Sequence, residues 1–350
     1  MENQQKNRIL EVKNLRISFK TAKKEYLEVI RGIDLSLYQG QIIAFVGESG
    51  SGKSVSAKAL LGINNFAKTS ADKIEIDGID VTNFEKDKQW RQIRGHKIGY
   101  IPQDPLVALN PTRTIGKQLL DALKNDSRFK NIQEKKDFLI KLLESFGLEN
   151  ATKRFNSYPH TLSGGMKQRI VIAMTIAQQP SIIIADEPTT ALDPTVQSSV
   201  LALLNEIREK YKIAIIFISH NISIVAKFCD YIYIMYAGKV VEKGTRQDIF
   251  TDPRHPYTWA LISAIPEGTN KENQLYTITG SPPDLKNLGA GDPFAPRNEY
   301  ALALDFEKEP PLIPISETHE AATWLLHPKA PKVELNQELK TRIKLFKEVL

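Results

Sequence analysis

The chain has 350 residues, 41% of them apolar and 25% charged, the composition of a soluble globular protein with one large domain or two smaller ones. Its net charge of +6 is too modest to demand nucleic acid or an anionic membrane face, and a solvated lysine-rich surface accounts for it. The one cysteine, Cys229, excludes an internal disulfide and a thiolate metal cage, and suits a reducing compartment.

The first residues, "MENQQKNRILEVK", are polar and mixed in charge, unlike a signal peptide. Strand-like runs follow: "ILEVKNLRISF", "VIRGIDLSLY" and the unbroken apolar "QIIAFVG", which reads as a strand buried on both faces. It feeds a glycine-rich turn and a helical "SVSAKALLG". "KIEIDGIDVT" predicts a hairpin turning at Asp77-Gly78. From about 113 to 178 apolar residues recur at three and four, in "TIGKQLLDALKN", "KKDFLIKLLESFGL" and "MKQRIVIAMTIAQQ". Then strand "SIIIAD", helix "TVQSSVLALLNEIREKY", strand "IAIIFIS", helix "ISIVAKF" and strand "YIYIMYAGKVV" alternate. Such alternation argues for parallel strands with crossover helices, and the block at 113–178 for a helical insertion into that α/β core. Cys229, just before the last strand, reads as a small core residue. Beyond about 265 the Pro- and Gly-rich "GSPPDLKNLGAGDPFAPR" and "EKEPPLIPI" predict an irregular tail. No run of about 18 apolar residues occurs, so spanning helices would come from a partner.

"GESGSGKS", residues 47–54, fits G-x-x-x-x-G-K-[ST] between a strand and a helix. Its glycines permit the backbone angles that turn successive N–H groups inward as an anion nest. The candidate phosphate-binding residues are Gly47, Glu48, Ser49, Gly50, Ser51 and Gly52, with Val55 in the following helix. Lys53 is placed to reach the β- and γ-phosphates, and Ser54 to ligate Mg²⁺. Asp186 and Glu187 end the apolar strand of "SIIIADEP", the first suited to Mg²⁺, the second to orienting and polarising a water. Gln103 and His220 also fall at strand ends, and Asp193 follows Glu187 closely. Gln103 can contact Mg²⁺ or the water, and His220 a γ-phosphate oxygen while holding Glu187 in line. A second cradle stands far from the first: Ser163, Gly164 and Gly165 open the helical "MKQRIVIAMTIAQQ", presenting backbone N–H groups to an anion.

"GESGSGKS", "QDP", "LSGGMKQR", "IIIADEP", "ALD" and "ISHN" stand in the order and rough spacing of ABC-transporter ATPase subunits, a family the chain resembles over roughly residues 8–250. The resemblance implies an α/β P-loop NTPase with a RecA-like core, an N-terminal antiparallel β subdomain and an inserted helical subdomain. It implies two such domains packed head to tail, each ATP lying between the phosphate loop of one and the LSGG segment of the other. Ser163, Gly164 and Gly165 then bind a γ-phosphate held by a partner, and Asp193 lies at the dimer contact. The adenine stacks on an upstream aromatic, Phe19 by position, with Tyr26 the alternative.

"HPYTWALISAIP", "GSPPDLKNLGAGDPFAPR", "EPPL" and "HEAATWL" resemble the C-terminal extension of oligopeptide- and dipeptide-permease ATPases, most closely the D-type subunit of bacterial oligopeptide permeases. This implies an ATPase domain at 8–255 and an extension at 256–350. It implies a peripheral subunit on the cytoplasmic face of the cell membrane that hydrolyses MgATP to energise peptide import. The implied partners are a homologous ATPase subunit, as a heterodimer, two transmembrane permease subunits and, indirectly, an extracellular peptide-binding protein; no nucleic acid is implied. Many relatives hold an iron–sulfur cluster through cysteines in this tail. Asn298, Asp305 and Thr323 stand at the matching positions here, so no cluster is expected. Pro194 stands where relatives usually have Val. The rival reading is a non-transport ABC ATPase acting on nucleic acid or ribosomes, which commonly carries two motif sets or a long coiled coil. A P-loop kinase would leave LSGG unexplained.

Overall fold

The computed structural model describes residues 7–22, 24–190, 192–265 and 278–350. Ala191 of "ALD" and Pro266 of "HPYTWALISAIP" lie outside the described residues. Two compact units divide the chain, one within Met1–Glu11, Ser36–Gln41 and Glu75–Ile218, the other within Val12–Leu35, Ile42–Ile74 and Ser219–Leu350. Among the described residues no helix is long and apolar enough to cross a membrane.

In the first unit the strands Ile98–Ile101, Ile182–Asp186 and Ala214–Ser219 run parallel, with Ile182 opposite both Ile98 and Ala214. The last two are buried at every residue, as their apolar runs require of a parallel sheet covered on both faces. Asp186 therefore stands at a carboxyl end, the edge where open α/β sheets bind ligands. The helices Ile115–Ala122, Ile132–Ser145, Ala151–Phe155 and Gly164–Ala177 pack on one another, as their spacing predicts. Gly164–Ala177 buries the consecutive residues Ile170–Ala173 as well as Ile176, so beyond its exposed start it runs into the core. The Asp77-Gly78 hairpin forms with both residues left-handed (φ 46° and 78°), the turn whose twist matches the flanking strands.

In the second unit Ile42–Val46 runs parallel to Tyr231–Tyr236, Ile43 opposite Tyr231. "YIYIMYAGKVV" is not one strand: Ala237 and Gly238 (φ 45° and 78°) make a second left-handed turn, and Lys239–Thr245 returns antiparallel. The tail is more ordered than its composition suggests. Glu320–Ala321 pairs with Lys239–Thr245, and Ile313–Pro314 pairs with Glu320–Ala321 at the sheet's edge, where a proline's missing donor does no harm. The helix Pro256–Ser263 is buried along its whole length, and the rings of Tyr236, Tyr257 and Phe294 meet at 4.7–5.3 Å. Cys229 is buried, and burial pushes its thiol pKa well up, in keeping with a core residue.

A polar cluster interrupts this core. The Glu242 carboxylate, fully buried, accepts from the Arg254 and His255 N–H groups (2.7 and 3.0 Å) and lies 2.8 Å from His319 Nε2. His255 accepts the Tyr257 N–H on Nδ1, and burial drives its pKa down to about 3 against a smaller opposing backbone hydrogen bond to Ala322. The unfolded chain, with an ordinary histidine pKa of 6.5, takes up this proton first. The stability contribution is complete above that value and is lost as pH falls toward about 3. His255→Asn keeps a helix-capping acceptor and removes the titration. The unfolding free energies of wild type and variant should therefore converge by about 1.4 kcal/mol per pH unit between roughly pH 6 and 4. Urea unfolding at several pH values checks this; a constant difference would refute it.

Candidate functional site

In the second unit, Val46 leads into the loop 47–52 and the helix Lys53–Ala59. The pattern's glycines have separate causes. Gly50 takes φ +83° in open space, whereas Gly52, at φ +101°, has Ile30 Cδ1 only 2.3 Å from where a Cβ would stand. Lys53 is 5% exposed, and its Nζ donates to the carbonyls of Gly47 (2.8 Å) and Glu48 (2.9 Å), drawing the ammonium back across the loop. Ser54 and Val55 are half-buried on the first helical turn, and Ser49 and Gly50 are exposed at the loop's tip. His220 is exposed just beyond Ala214–Ser219, followed by Asn221, which caps the next helix. Phe19 is half-buried near the end of Arg8–Lys20, opposite Ala67, and Tyr26 is exposed.

In the first unit, the buried Asp186 accepts the Tyr100 hydroxyl at 2.8 Å on Oδ2. Burial, and then the charge of Asp186, raise the Tyr100 pKa far above the usual range, so Tyr100 stays a donor. Glu187 is left-handed at φ 48°, a conformation that costs a non-glycine residue about 1–3 kcal/mol and collects at functional sites. Its N–H donates to the Ile218 carbonyl at 3.0 Å. Its Oε2 accepts from Gln103 Nε2 (3.3 Å) and Thr190 Oγ1 (2.9 Å). Gln103 and Glu187 are thus brought together. Tyr100 and Thr190 escaped the sequence reading. For Tyr100 the available signal was one hydroxyl-bearing ring in the otherwise apolar "IGYI".

The second cradle lies at a helix N-terminus. Ser163 caps Gly164–Ala177 by accepting the Met166 N–H at 3.3 Å. Asp193 caps Pro194–Tyr211 by accepting from Thr195 (3.1 Å) and Val196 (3.0 Å), and Pro194 takes the first helical position, where its missing donor is harmless. These helix starts are neighbours: a Cβ on Gly165 would come within 2.7 Å of Val196 Cγ1. Arg169 braces the pair by donating to the Phe146 carbonyl (2.7 Å) and to Ser199. Two helix N-termini thus present partial positive charge side by side.

In the tail, Asn298, Asp305 and Thr323 accept backbone N–H groups from Tyr300 (2.9 Å), Leu302 (2.7 Å) and Leu325 (3.2 Å).

Family models match at residues 30–190, for the ABC transporter family, and at 241–303, for the C-terminal region of oligopeptide/dipeptide transporters. The oligopeptide transport ATP-binding protein OppD of Mycoplasma genitalium is 45% identical, covering 98% of this chain and 94% of its own length. OppD of Bacillus subtilis is 45% identical (96% and 94% covered), and the dipeptide transport ATP-binding protein DppD of Lactococcus lactis subsp. cremoris 42% identical (98% of each). Among solved structures, cbiO1 of Clostridium perfringens, part of an ABC transporter complex, matches with TM-score 0.60 and 27% identity over 70% of this chain and 92% of that one. An ATP-binding cassette in a dimeric post-hydrolysis state with ADP and phosphate matches with TM-score 0.60 and 26% identity over 68% and 99%.

The fold is that of an ABC ATPase cassette, a P-loop NTPase with antiparallel N-terminal strands. Within that class, the chain belongs to the family of oligopeptide and dipeptide transport ATP-binding proteins. The non-transport alternative finds no support among these relatives.

Proposed function

We propose that the chain is the ATP-binding and hydrolysing subunit that energises an importer of oligopeptides or dipeptides. It works as a heterodimer with a homologous ATPase subunit, on the cytoplasmic face of the membrane, beneath two permease subunits served by an extracellular peptide-binding protein. Residues 8–255 form the ATPase domain, with its helical subdomain at 113–178, and residues 256–350 the extension.

Phe19 stacks on the adenine, residues 47, 49–52 and Val55 supply donors to the phosphates, and Lys53 bonds their β- and γ-oxygens; Glu48 is not among these donors, because its N–H is taken by the Tyr257 hydroxyl. Mg²⁺ suits the hard oxygens of Ser54, Gln103 and Asp186, and when bound it neutralises phosphate charge. The Tyr100 bond steadies Asp186 for that task. Glu187, held by Gln103 and Thr190, polarises the attacking water. His220 bonds a γ-phosphate oxygen, and Asp193 borders the contact between subunits.

The observation that carries the two-chain reading is Gly164. A Cβ there would meet nothing nearer than Leu192 Cδ2 at 3.9 Å, so the chain's own packing has room for a larger residue. A glycine at an exposed helix start, beside a second helix start, serves something arriving from outside: the triphosphate held by the partner. Closure then depends on ATP, and loss of the γ-phosphate loosens the pair, the cycle that moves the permease.

Isolating the chain from solubilised membranes and identifying what accompanies it tests the transport role; two permeases and a second ATPase are expected, and their absence would refute it. Ser163→Arg should leave ATP binding to the single chain intact while abolishing the ATP-dependent pair, measured by light scattering. A normal ATP-bound pair would sink the second-cradle assignment.

A further inference from the structure

The C-terminal extension grips the phosphate loop through contacts that the transport reading does not use. Glu48, the second residue of the loop, sends its carboxylate to Arg297, the last residue of the short turn Ala295–Arg297. Arg297 Nη1 donates to Glu48 Oε2 at 2.6 Å and Nη2 to Oε1 at 2.9 Å, a two-pronged ion pair in which the arginine side chain is 5% exposed. Charge-assisted fork pairs of this kind are among the stronger hydrogen bonds a protein makes. The guanidinium also donates through Nη1 to the Tyr236 hydroxyl (3.1 Å) and through Nε to the Thr279 carbonyl (2.9 Å). The Thr279 bond seats the stretch that follows, whose Pro282 and Pro283 line a recess together with Ser49 and Gly50 at the loop's tip.

The backbone of Glu48 is engaged as well. Its N–H donates to the Tyr257 hydroxyl at 2.8 Å, and its carbonyl accepts from Lys53 Nζ. One residue of the loop is therefore fixed at its side chain and its amide by residues beyond 255, while its carbonyl holds the phosphate-binding lysine.

The position of Glu48 gives no hint of this, because G-x-x-x-x-G-K-[ST] leaves it unspecified. Its chemistry does. A carboxylate beside a loop built for a polyphosphate opposes the ligand's charge unless it is neutralised. Arg297 supplies the opposite charge at contact distance and from a protected site, where solvent screens it little.

We propose that Arg297 is a positioning residue of the nucleotide site, which through Glu48 holds the phosphate loop in its binding shape and cancels a charge that would repel ATP. The extension thereby sets nucleotide affinity. This rests on the phosphate-loop reading given above and deepens it.

The test uses the full chain, titrated with the fluorescent analogue mant-ATP and assayed for hydrolysis. Arg297→Gln should raise the dissociation constant and KM about tenfold or more, the scale of a lost charged hydrogen bond. Turnover at saturating ATP should change far less, since Glu187 and Gln103 are untouched. The deciding variant is the double one. Arg297→Gln combined with Glu48→Gln removes both charges and should recover most of the lost affinity, to the level of Glu48→Gln alone. A purely structural arginine would leave the double variant as weak as Arg297→Gln, and that result would overturn the proposal. If Arg297→Gln fails to fold by circular dichroism, Tyr257→Phe keeps the question open to decision: it retains the ring and deletes only the acceptor of the Glu48 N–H. It should weaken mant-ATP binding without altering saturated turnover, and unchanged binding would count against the proposal. Wild type and Lys53→Ala separate the two levels. If wild type binds no mant-ATP, the phosphate-loop reading fails and takes this one with it. If those two differ as expected while Arg297→Gln binds like wild type, this inference alone fails.

Discussion

Glu187→Gln is expected to bind ATP with nearly wild-type affinity and to hydrolyse it about 10²–10⁴-fold more slowly, the usual worth of a positioned general base. The geometry explains why binding survives. Both described side-chain donors, Gln103 Nε2 and Thr190 Oγ1, reach the same oxygen, Oε2. A glutamine with its amide oxygen in that place keeps both bonds, and neither residue type relieves the left-handed backbone at φ 48°. What disappears is the charge proposed to draw a proton from water. The ATP-bound pair should therefore accumulate. Phosphate release alongside equilibrium nucleotide titration checks this, and a variant that hydrolyses ATP near the wild-type rate would remove Glu187 from the catalytic role.

Lys53→Ala acts at the other end of the reaction, on affinity. The ammonium is nearly buried and bridges the Gly47 and Glu48 carbonyls. Truncation removes the charge proposed to meet the β- and γ-phosphates and takes the Lys53 donor from the Gly47 carbonyl, while the Glu48 carbonyl keeps the Ser51 N–H at 3.2 Å. Nucleotide affinity should fall by roughly two orders of magnitude, the scale of losing charged hydrogen bonds in a secluded site. Losing the donor to the Gly47 carbonyl should cost about 1–3 kcal/mol of stability without ligand. Titration with mant-ATP and urea unfolding measure the two effects separately. Undiminished affinity would show that Lys53 does not hold the phosphates.

Local chemistry made much of this legible in the sequence. The phosphate loop could be read because glycine, lysine and serine at fixed spacing encode a backbone shape within eight residues. Asp77-Gly78 announced its turn because aspartate and glycine both tolerate positive φ. Ala237-Gly238 makes the same kind of turn but begins with an alanine, a residue seldom found there, so two strands looked like one. The order found in the tail was hidden for a different reason. Its strands are two residues long and depend on Lys239–Thr245 as a template, which no window of "EKEPPLIPI" reveals. Distance in the chain concealed the rest. Tyr100 is 86 positions from Asp186, and Arg297 is 249 from Glu48. Each is one polar group whose purpose exists only once the fold has closed.

The tail's short strands also decide where this polypeptide can be cut. Glu320 and Ala321 cover one edge of Lys239–Thr245, and His319, just before them, sits against the buried Glu242 carboxylate. A truncation before residue 313 would strip the buried Glu242 carboxylate of a partner and bare peptide groups of Lys239–Thr245 on an adhesive edge. Such shortened forms should clump, by edge-to-edge pairing between copies, so that a catalytic fragment tailored to end near 265 would be insoluble for reasons unrelated to catalysis.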